Sequence, residues 1–214
     1  MSVAQDAPRG VRLPRRERRA QLLTAAREVF VEQGYHAAAM DDIAVRAGVS
    51  KPVLYQHFPG KRELYLALLD QGAGSLLTAV REALESTTDN KERVRATVKA
   101  YFDFVGDNDR AFRLVFESDL VNEPAVRERV ERLDDDCAAL VSAVISEDTG
   151  LSHDEAMLLA TGLIGAAQTA ARRWLREEGR VPRDAAAMLL ASLSWRGIRG
   201  FPMSHPPAGG PASS

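Results

Sequence analysis

The chain has 214 residues, of which 45% are apolar and one is a cysteine, Cys137. This size allows one or two domains, and a single cysteine excludes an internal disulfide framework. The sequence has no run of 18 apolar residues and no apolar leader, so neither a membrane span nor a secretory signal is predicted. Residues 1–62 hold eleven Lys and Arg against six Asp and Glu, a net charge of +5, whereas the remainder carries −7, which favours a protein that meets a polyanion with one end only.

The first predicted helix begins near Pro14, a residue favoured in an early helical turn, and ends at Gly34. Residues 1–12 before it are predicted to be disordered. The start of this helix is rich in arginine, which is typical either of a solvated charged surface or of a phosphate-binding element. We favour phosphate contact, because the cluster adjoins the motif that follows; its candidate residues are Arg15, Arg16 and Arg19.

Two short helices joined by a tight turn are predicted within residues 39–61. Gly48 stands where the chain must reverse, since glycine tolerates the positive φ that ends a helix, and Ser50 is suited to cap the next helix. Leu54 and Phe58 are four residues apart and therefore share one face of the second helix, which can dock on the first. The second helix is predicted to be a recognition helix for the DNA major groove.

The residues expected to meet DNA lie away from this docking face. Val53 and Gln56 are placed to read base edges, and Lys61 adds a charge to the start of the fourth helix, where free amides can bind phosphate. With the arginines of the first helix, the candidate DNA-binding residues are Arg15, Arg16, Arg19, Ser50, Lys51, Pro52, Val53, Tyr55, Gln56, His57 and Lys61.

The rest of the chain is predicted to be helical, because apolar residues recur with a period near that of a helix and no strand pattern appears. Six further helices are expected, over residues 61–86, 90–105, 109–120, 123–146, 152–178 and 184–195. The fold class is therefore all-α, with about nine helices. Residues 201–214 are rich in Pro, Gly and Ser and are predicted to be disordered.

Residues 34–61 resemble the DNA-binding domain of TetR-type repressors. The agreement is at fixed spacing, over Gly34-Tyr35, Met40-Asp41-Asp42-Ile43-Ala44, Ala47-Gly48-Val49-Ser50, Leu54-Tyr55, His57-Phe58 and Lys61. One departure is that Ala38 and Ala39 stand where the family has Thr or Ser, so a capping hydroxyl that would contribute about 1 kcal/mol is absent. The resemblance implies a helix-turn-helix domain over residues 13–60, an effector-binding and dimerisation domain over residues 61–200, and a homodimer on a pseudo-palindromic double-stranded DNA operator.

A closer resemblance covers most of the chain. The segments RLPRRERRAQLL, VFVEQGYHAAAMDDIAVRAGVSKPVLYQHF and RLVFESDLVNEP look like those of the FasR-type fatty-acid-synthesis regulators of actinomycetes. This implies a cytoplasmic, nucleoid-associated regulator of fatty acid biosynthesis genes, without a cofactor, that long-chain acyl-CoA releases from DNA. It leaves open whether the protein activates or represses. The rival interpretation is a TetR-type repressor of an efflux or lipid-metabolism operon that responds to another hydrophobic small molecule.

An elongated apolar cavity is expected between the helices of residues 61–200, because their apolar faces are larger than a plain bundle requires and few polar residues interrupt them. The ordinary role of the aromatic residues there is core filling. Arg173 is placed either to meet the phosphates of coenzyme A or to lie as a surface charge at a helix end. The candidate effector-binding residues are Phe102, Phe112, Leu114, Phe116, Leu163, Arg173 and Trp174.

Small residues cover much of the helix predicted at 152–178, so another helix can pack close to it. With the last helix it resembles the paired helices of the TetR-type four-helix dimer interface. The alternative is packing within one chain only. The candidate interface residues are Gly162, Gly165, Ala166, Ala170, Leu190 and Ser194.

An enzyme is not expected, because the four histidines lack metal-ligand spacing and no nucleophile motif or phosphate-binding loop occurs. The three aspartates at 134–136 point in different directions on a helix, which favours a solvated face over a cation site. Cys137 is predicted to be a small buried apolar residue. The remaining class, a helical interaction module that does not bind DNA, is disfavoured by Tyr55, His57 and Lys61.

Overall fold

The computed structural model describes residues 13–107, 120, 123–177 and 180–196, and this part of the chain contains helices but no strand. The helices are α1 (Arg15–Ala37), α2 (Met40–Arg46), α3 (Lys51–His57), α4 (Lys61–Glu85), α5 (Asn90–Asp107), α6 (Pro124–Thr149), α7 (His153–Arg176) and α8 (Arg183–Arg196). The all-α prediction is confirmed. The helix predicted at 109–120 falls almost wholly outside the described residues, as do the tails 1–12 and 201–214.

The helix ends follow local sequence signals. Gly34 interrupts α1 with φ 77° and ψ 165°, a conformation open to glycine, close to where the first helix was predicted to end. Gly48, with φ 64°, follows α2 as expected. Ser50 occupies the N-cap position of α3 but makes no capping hydrogen bond through its side chain. Ser152 caps α7 with a complete capping box, in which Glu155 Oε2 accepts from the Ser152 amide over 2.9 Å.

The chain forms two compact units. Of the described residues, 13–72, 120 and 123–127 belong to the first unit, and 73–107, 128–177 and 180–196 to the second. The predicted domain boundary after residue 60 lies inside the first unit, because Leu64, Tyr65, Leu66 and Leu69 at the start of α4 are buried in the same core as α1, α2 and α3.

The core of the first unit fixes the orientation of α3. Leu54 and Phe58 are 0% and 1% exposed and lie in a cluster with Leu22 of α1 and Ile43 of α2. Burial of each such side chain contributes about 1.5–3 kcal/mol, so the predicted docking face is both correct and energetically important. Phe30 packs edge to face on Tyr65, with ring centroids 5.6 Å apart, and so joins α1 to α4.

The second unit is built around α5, which packs against α7 and α8. Val98, Tyr101, Phe102 and Val105 are buried on α5, and Cys137 is buried on α6, as predicted. The buried residues of α7 are mostly alanines, which let the helices approach closely. None of the helices described here has both the length and the apolar character needed to cross a membrane.

Candidate functional site

Helix α3, the predicted recognition helix, presents its two sides as the sequence predicted. Leu54 is fully buried, whereas Gln56 is exposed and Val53 is half-buried on the other side. Tyr55 is 47% exposed, which leaves its ring and hydroxyl available to a partner. Ser50, Lys51 and Pro52, at the start of the helix, are also exposed. The helix therefore offers a mixed polar and apolar face of the kind that reads base edges in a major groove.

The arginines of α1 lie beside the C-terminal end of α3. The Arg19 guanidinium stacks over the Phe58 ring at 4.3 Å, and Phe58 is the residue that ends α3. The pKa of His57 is lowered, first by burial and then by the positive charges of Arg15, Arg19 and Arg18. Arg15 and Arg16 are exposed. Residues that are distant in sequence thus form one positive patch, which suits a polyanion.

Polar contacts that sequence reasoning missed hold α2 on α1. The Gln21 Nε2 donates to the Ala47 carbonyl oxygen over 2.8 Å, and Arg18 donates to Gln21 Oε1 over 2.7 Å. The Arg46 guanidinium pairs with Glu32 and Glu28 of α1. The partners in the contacts between α1 and α2 are 14 to 26 residues apart in the chain, so spacing within one helix gave no signal of them.

Lys51, one of the predicted DNA contacts, is already engaged. Its ammonium pairs with the Asp41 carboxylate at 2.5 Å, and the pKa of Lys51 is raised by this hydrogen bond and charge. The pair joins the first residue of α3 to the first turn of α2. Both side chains are exposed, so the pair is open to exchange for a phosphate.

Lys61 makes contacts that the sequence did not predict. Its ammonium donates to the carbonyl oxygens of Tyr35 (2.8 Å), His36 (3.1 Å) and Ala38 (2.9 Å) at the end of α1. An ammonium has three protons, so these bonds occupy its donors. A phosphate contact would require at least one of them to be exchanged. The geometry supports a positioning role for Lys61 in the α1–α2 connection.

The second unit contains a cavity of about 340 Å³ between α4, α5, α6, α7 and α8. Its wall is mostly aliphatic and includes Val80, Leu84, Val94, Leu133 and Ile164. Of the predicted effector residues, Leu163 lines this cavity. Phe112, Leu114 and Phe116 lie outside the described residues.

The structure does not bring Phe102, Arg173 and Trp174 to this cavity. They border a separate cleft of about 340 Å³ between α5, α7 and α8. Phe102 packs edge to face on Trp174 with ring centroids 5.8 Å apart, and the Trp174 Nε1 donates to the Val181 carbonyl oxygen over 2.7 Å. Arg173 pairs with Glu177, the residue that follows the end of α7. The two rings pack against each other, which is the core-filling role that the sequence analysis gave as the alternative to effector binding.

The cavity wall carries polar residues that the sequence analysis did not assign to it. Asp134 accepts a hydrogen bond from Gln168, and burial raises the pKa of the Asp134 carboxyl. Arg93 pairs with Asp148 at 3.1 Å and donates to the Thr87 carbonyl oxygen over 2.9 Å. The prediction of a solvated face at residues 134–136 is therefore wrong for Asp134, which points to the cavity, and right for the two exposed aspartates after it. Burial raises the pKa of the Cys137 thiol to about 12.

The candidate interface residues divide between surface and interior. Gly162, Gly165 and Ala166 are exposed on α7, and Ala170 is half-buried. Leu190 on α8 is only 7% exposed and is one of the buried core residues. Ser194 donates to the Leu190 carbonyl oxygen and borders the cavity. These two residues face inward rather than outward.

Large apolar side chains are nevertheless exposed on the same two helices. On α7, Leu158 is 75% exposed, and on α8 Met188 and Leu189 are 54% and 52% exposed. An apolar surface of this kind is typical of a protein–protein interface. Sequence periodicity did not separate these positions from buried ones, because α8 is apolar on most sides. Among the described residues, no group of His, Cys, Asp and Glu is arranged to hold a metal ion.

Comparisons with known proteins follow the same division of the chain. Residues 22–68 match the family model of bacterial regulatory proteins, tetR family, and residues 90–197 match that of the tetracyclin repressor-like C-terminal domain. The chain is 48% identical over 197 residues to the HTH-type transcriptional activator FasR of Mycolicibacterium smegmatis, which covers 92% of this chain and 90% of that protein.

Solved structures share the fold. A TetR-like transcriptional regulator from Rhodococcus sp. RHA1 has a TM-score of 0.69 at 31% identity, covering 89% of this chain and all of that one. The regulator FadR of Bacillus subtilis, solved in complex with stearoyl-CoA, has a TM-score of 0.71 at 19% identity, covering 84% of this chain and 98% of the other. At that identity the likeness concerns the fold alone.

Proposed function

Because the chain belongs to the TetR family of bacterial regulatory proteins, we propose that it controls fatty acid biosynthesis genes as a homodimer that long-chain acyl-CoA releases from DNA. The chain is a helix-turn-helix transcription regulator and not an enzyme. The observation that carries the proposal is the 48% identity to FasR, since it extends over 92% of the chain and so includes both the recognition helix and the cavity. The relative is an activator, and we propose activation here as well.

On DNA, α3 lies in the major groove with Val53 and Gln56 toward the bases. Arg15, Arg16 and Arg19 contact phosphates at one end of the helix, and Ser50, Lys51 and Pro52 approach the backbone at the other. Tyr55 and His57 flank the reading face, and Lys61 supports it from behind. Phosphate contacts give position and affinity, while contacts to base edges give sequence preference.

Two copies are needed because a seven-residue recognition helix binds weakly alone. Two such helices related by a twofold axis read two half-sites of a pseudo-palindrome. The exposed apolar residues of α7 and α8 supply the dimer surface, with Gly162, Gly165, Ala166 and Ala170 allowing the helices of the two copies to approach. Leu190 and Ser194 act from the inside, by supporting α8.

The effector binds in the cavity of the second unit. Its volume of about 340 Å³ lies within the range of small-molecule sites, and its aliphatic wall favours an acyl chain over a sugar or a nucleotide base. Each buried CH₂ of such a chain contributes about 0.8 kcal/mol. The stearoyl-CoA in the FadR structure supports this choice of ligand. Regulation of this kind places the protein in the cytoplasm, at the nucleoid.

The proposal is tested with purified protein and a labelled promoter fragment from a fatty acid synthase gene. Binding at 150 mM salt should be sequence-specific, and palmitoyl-CoA should release the fragment while free coenzyme A should not. Sequence-specific binding to another promoter, with no response to any acyl-CoA, would overturn the proposal. Mass spectrometry of lipids retained by the denatured protein would then identify the hydrophobic ligand of an efflux or lipid-metabolism regulator.

A further inference from the structure

We propose that Thr97 donates a hydrogen bond to the thioester carbonyl oxygen of the bound acyl-CoA, inside the cavity of the second unit. This rests on the proposed effector class and assigns the residue that recognises the ligand's polar group. Thr97 lies on α5 and borders the cavity. Its hydroxyl oxygen is buried and has no hydrogen-bond partner among the residues that the structure describes.

The other serine and threonine hydroxyls that line the cavity behave differently. Thr149 donates to the Ile145 carbonyl oxygen over 2.6 Å, and Ser194 donates to the Leu190 carbonyl oxygen over 2.9 Å. Thr78 and Thr161, elsewhere on α4 and α7, also bond the carbonyl four residues back. That bond satisfies a hydroxyl in a helix without any outside partner. Thr97 does not make it.

The ionic side chains of the wall that are described here, Arg93, Asp134 and Asp148, already have hydrogen-bond or ion-pair partners. Arg93 is bound by Asp148 and Asn90, and the Asp134 carboxylate accepts from the Gln168 amide. By contrast, no described residue of the cavity wall forms a hydrogen bond with the Thr97 hydroxyl. A buried hydroxyl without a partner is unfavourable, so a ligand oxygen at this point gains more than one placed against the aliphatic wall.

The chemistry of the partner follows from the surroundings. Val94 and Val98 lie beside Thr97 on α5, and Val141 and Val144 face the same cavity from α6. Such walls take an alkyl chain, and the polar atom next to the chain in an acyl thioester is one carbonyl oxygen, which accepts but does not donate. A threonine hydroxyl can donate to it. Tyr101, one helical turn further along α5, lines the same cavity.

The experiment compares two ligands on three proteins by isothermal titration calorimetry. The ligands are palmitoyl-CoA and S-hexadecyl-CoA, a thioether in which a methylene replaces the carbonyl. The proteins are the wild type, Thr97→Val, which keeps the shape and removes the hydroxyl, and Thr97→Ser, which keeps the hydroxyl. Thermal melting of all three proteins reports whether the two variants retain the fold.

The wild type should bind palmitoyl-CoA about tenfold more tightly than the thioether, as expected for one buried hydrogen bond. Thr97→Val should lose about that factor for palmitoyl-CoA and none for the thioether, and Thr97→Ser should stay close to the wild type. Equal losses for both ligands in Thr97→Val, or no loss for either, would overturn the assignment while leaving the proposed effector intact. Failure of the wild type to bind palmitoyl-CoA would overturn the proposed function as well.

Discussion

The Lys61 ammonium donates to the Tyr35 carbonyl oxygen over 2.8 Å and lies 4.7 Å from the centre of the ring of that same residue. With the bonds to His36 and Ala38, it ties the first residue of α4 to the segment that leads from α1 into α2. The connection that leads into the helix-turn-helix is therefore held in place by Lys61, a residue that the sequence analysis predicted to bind DNA.

Replacing Lys61 by Met separates these two roles, because Met keeps the apolar stem and removes the three donors. If Lys61 is a clamp, the free energy of unfolding should fall by about 2 kcal/mol. DNA affinity should then fall for all sequences while the salt dependence of binding stays unchanged. A phosphate contact predicts the opposite: unchanged stability, and a salt slope smaller by about one per protomer. Lys91→Met, at an exposed lysine near the start of α5, is the matched control and should alter neither quantity.

Sequence preference should depend on Gln56 and Val53, which lie away from the buried face of α3. Gln56→Ala and Val53→Ala should each reduce the preference for the operator over a scrambled duplex by about 1–3 kcal/mol. Arg16→Ala should weaken both duplexes equally and lower the salt slope. Competition binding at two salt concentrations measures all three. Equal effects of Gln56→Ala on operator and scrambled duplex would mean that another face of the helix reads the bases.

The contrast between Leu54 and Lys61 shows which features of the first unit could be predicted from the sequence and which could not. The faces of α3 could be predicted because Leu54 and Phe58 follow the period of a single helix, and their burial depends mainly on that period. The bonds of Lys61 and Gln21 join residues about 26 positions apart, so they depend on how α1, α2 and α4 pack. No pattern within one helix reports that packing.

The ligand cavity shows the same limit. Its aliphatic character could be predicted from composition, but Phe102 and Trp174 were assigned to it because they are aromatic, and they pack on each other instead. Thr97 and Asp134 were missed because a polar residue on a helix is usually solvated, and only the packed bundle turns these two toward the cavity. Which of two cavities a side chain borders depends on helix rotation, which composition does not determine.

His57 gives the first unit a pH-dependent stability. Burial and the charges of Arg15, Arg19 and Arg18 lower its pKa in the folded protein below the ordinary value of 6.5. The unfolded chain therefore binds more protons than the folded protein just below pH 6.5, and stability falls as the pH is lowered through that window. His57→Gln should remove this loss, so the variant should be relatively more stable than the wild type at acidic pH and not at neutral pH.

The same charges offer a direct check by NMR titration of the His57 ring protons. Arg15→Gln should raise the pKa of His57, although only in part, because burial is the larger cause. DNA binding should raise it too, since phosphates replace the repulsion of the arginines with attraction. A His57 pKa that is insensitive to Arg15→Gln would place the arginine cluster farther from α3 than the structure does.

Dimerisation through α7 is testable at Gly165, because a side chain there has space in the single chain but would clash with the second copy in the proposed dimer. A Cβ built at Gly165 meets no atom within 4 Å, and φ there is helical, so Gly165→Gln should strengthen the isolated helix by about 0.5–1 kcal/mol. In a four-helix interface the same side chain would occupy the space of the second copy. Light scattering after gel filtration should therefore show a monomer for Gly165→Gln and a dimer for the wild type.

The matched control is Gly74→Gln on α4, where a Cβ also meets no atom within 4 Å, so the helix gain is the same without the interface. It should remain dimeric. Because two half-sites are read together, Gly165→Gln should lose most of its affinity for the full operator and bind a single half-site as the wild-type recognition helix does. A dimeric Gly165→Gln with wild-type operator affinity would move the interface off this face of α7, and Leu158 and Met188 would then be exposed apolar residues without the partner proposed for them.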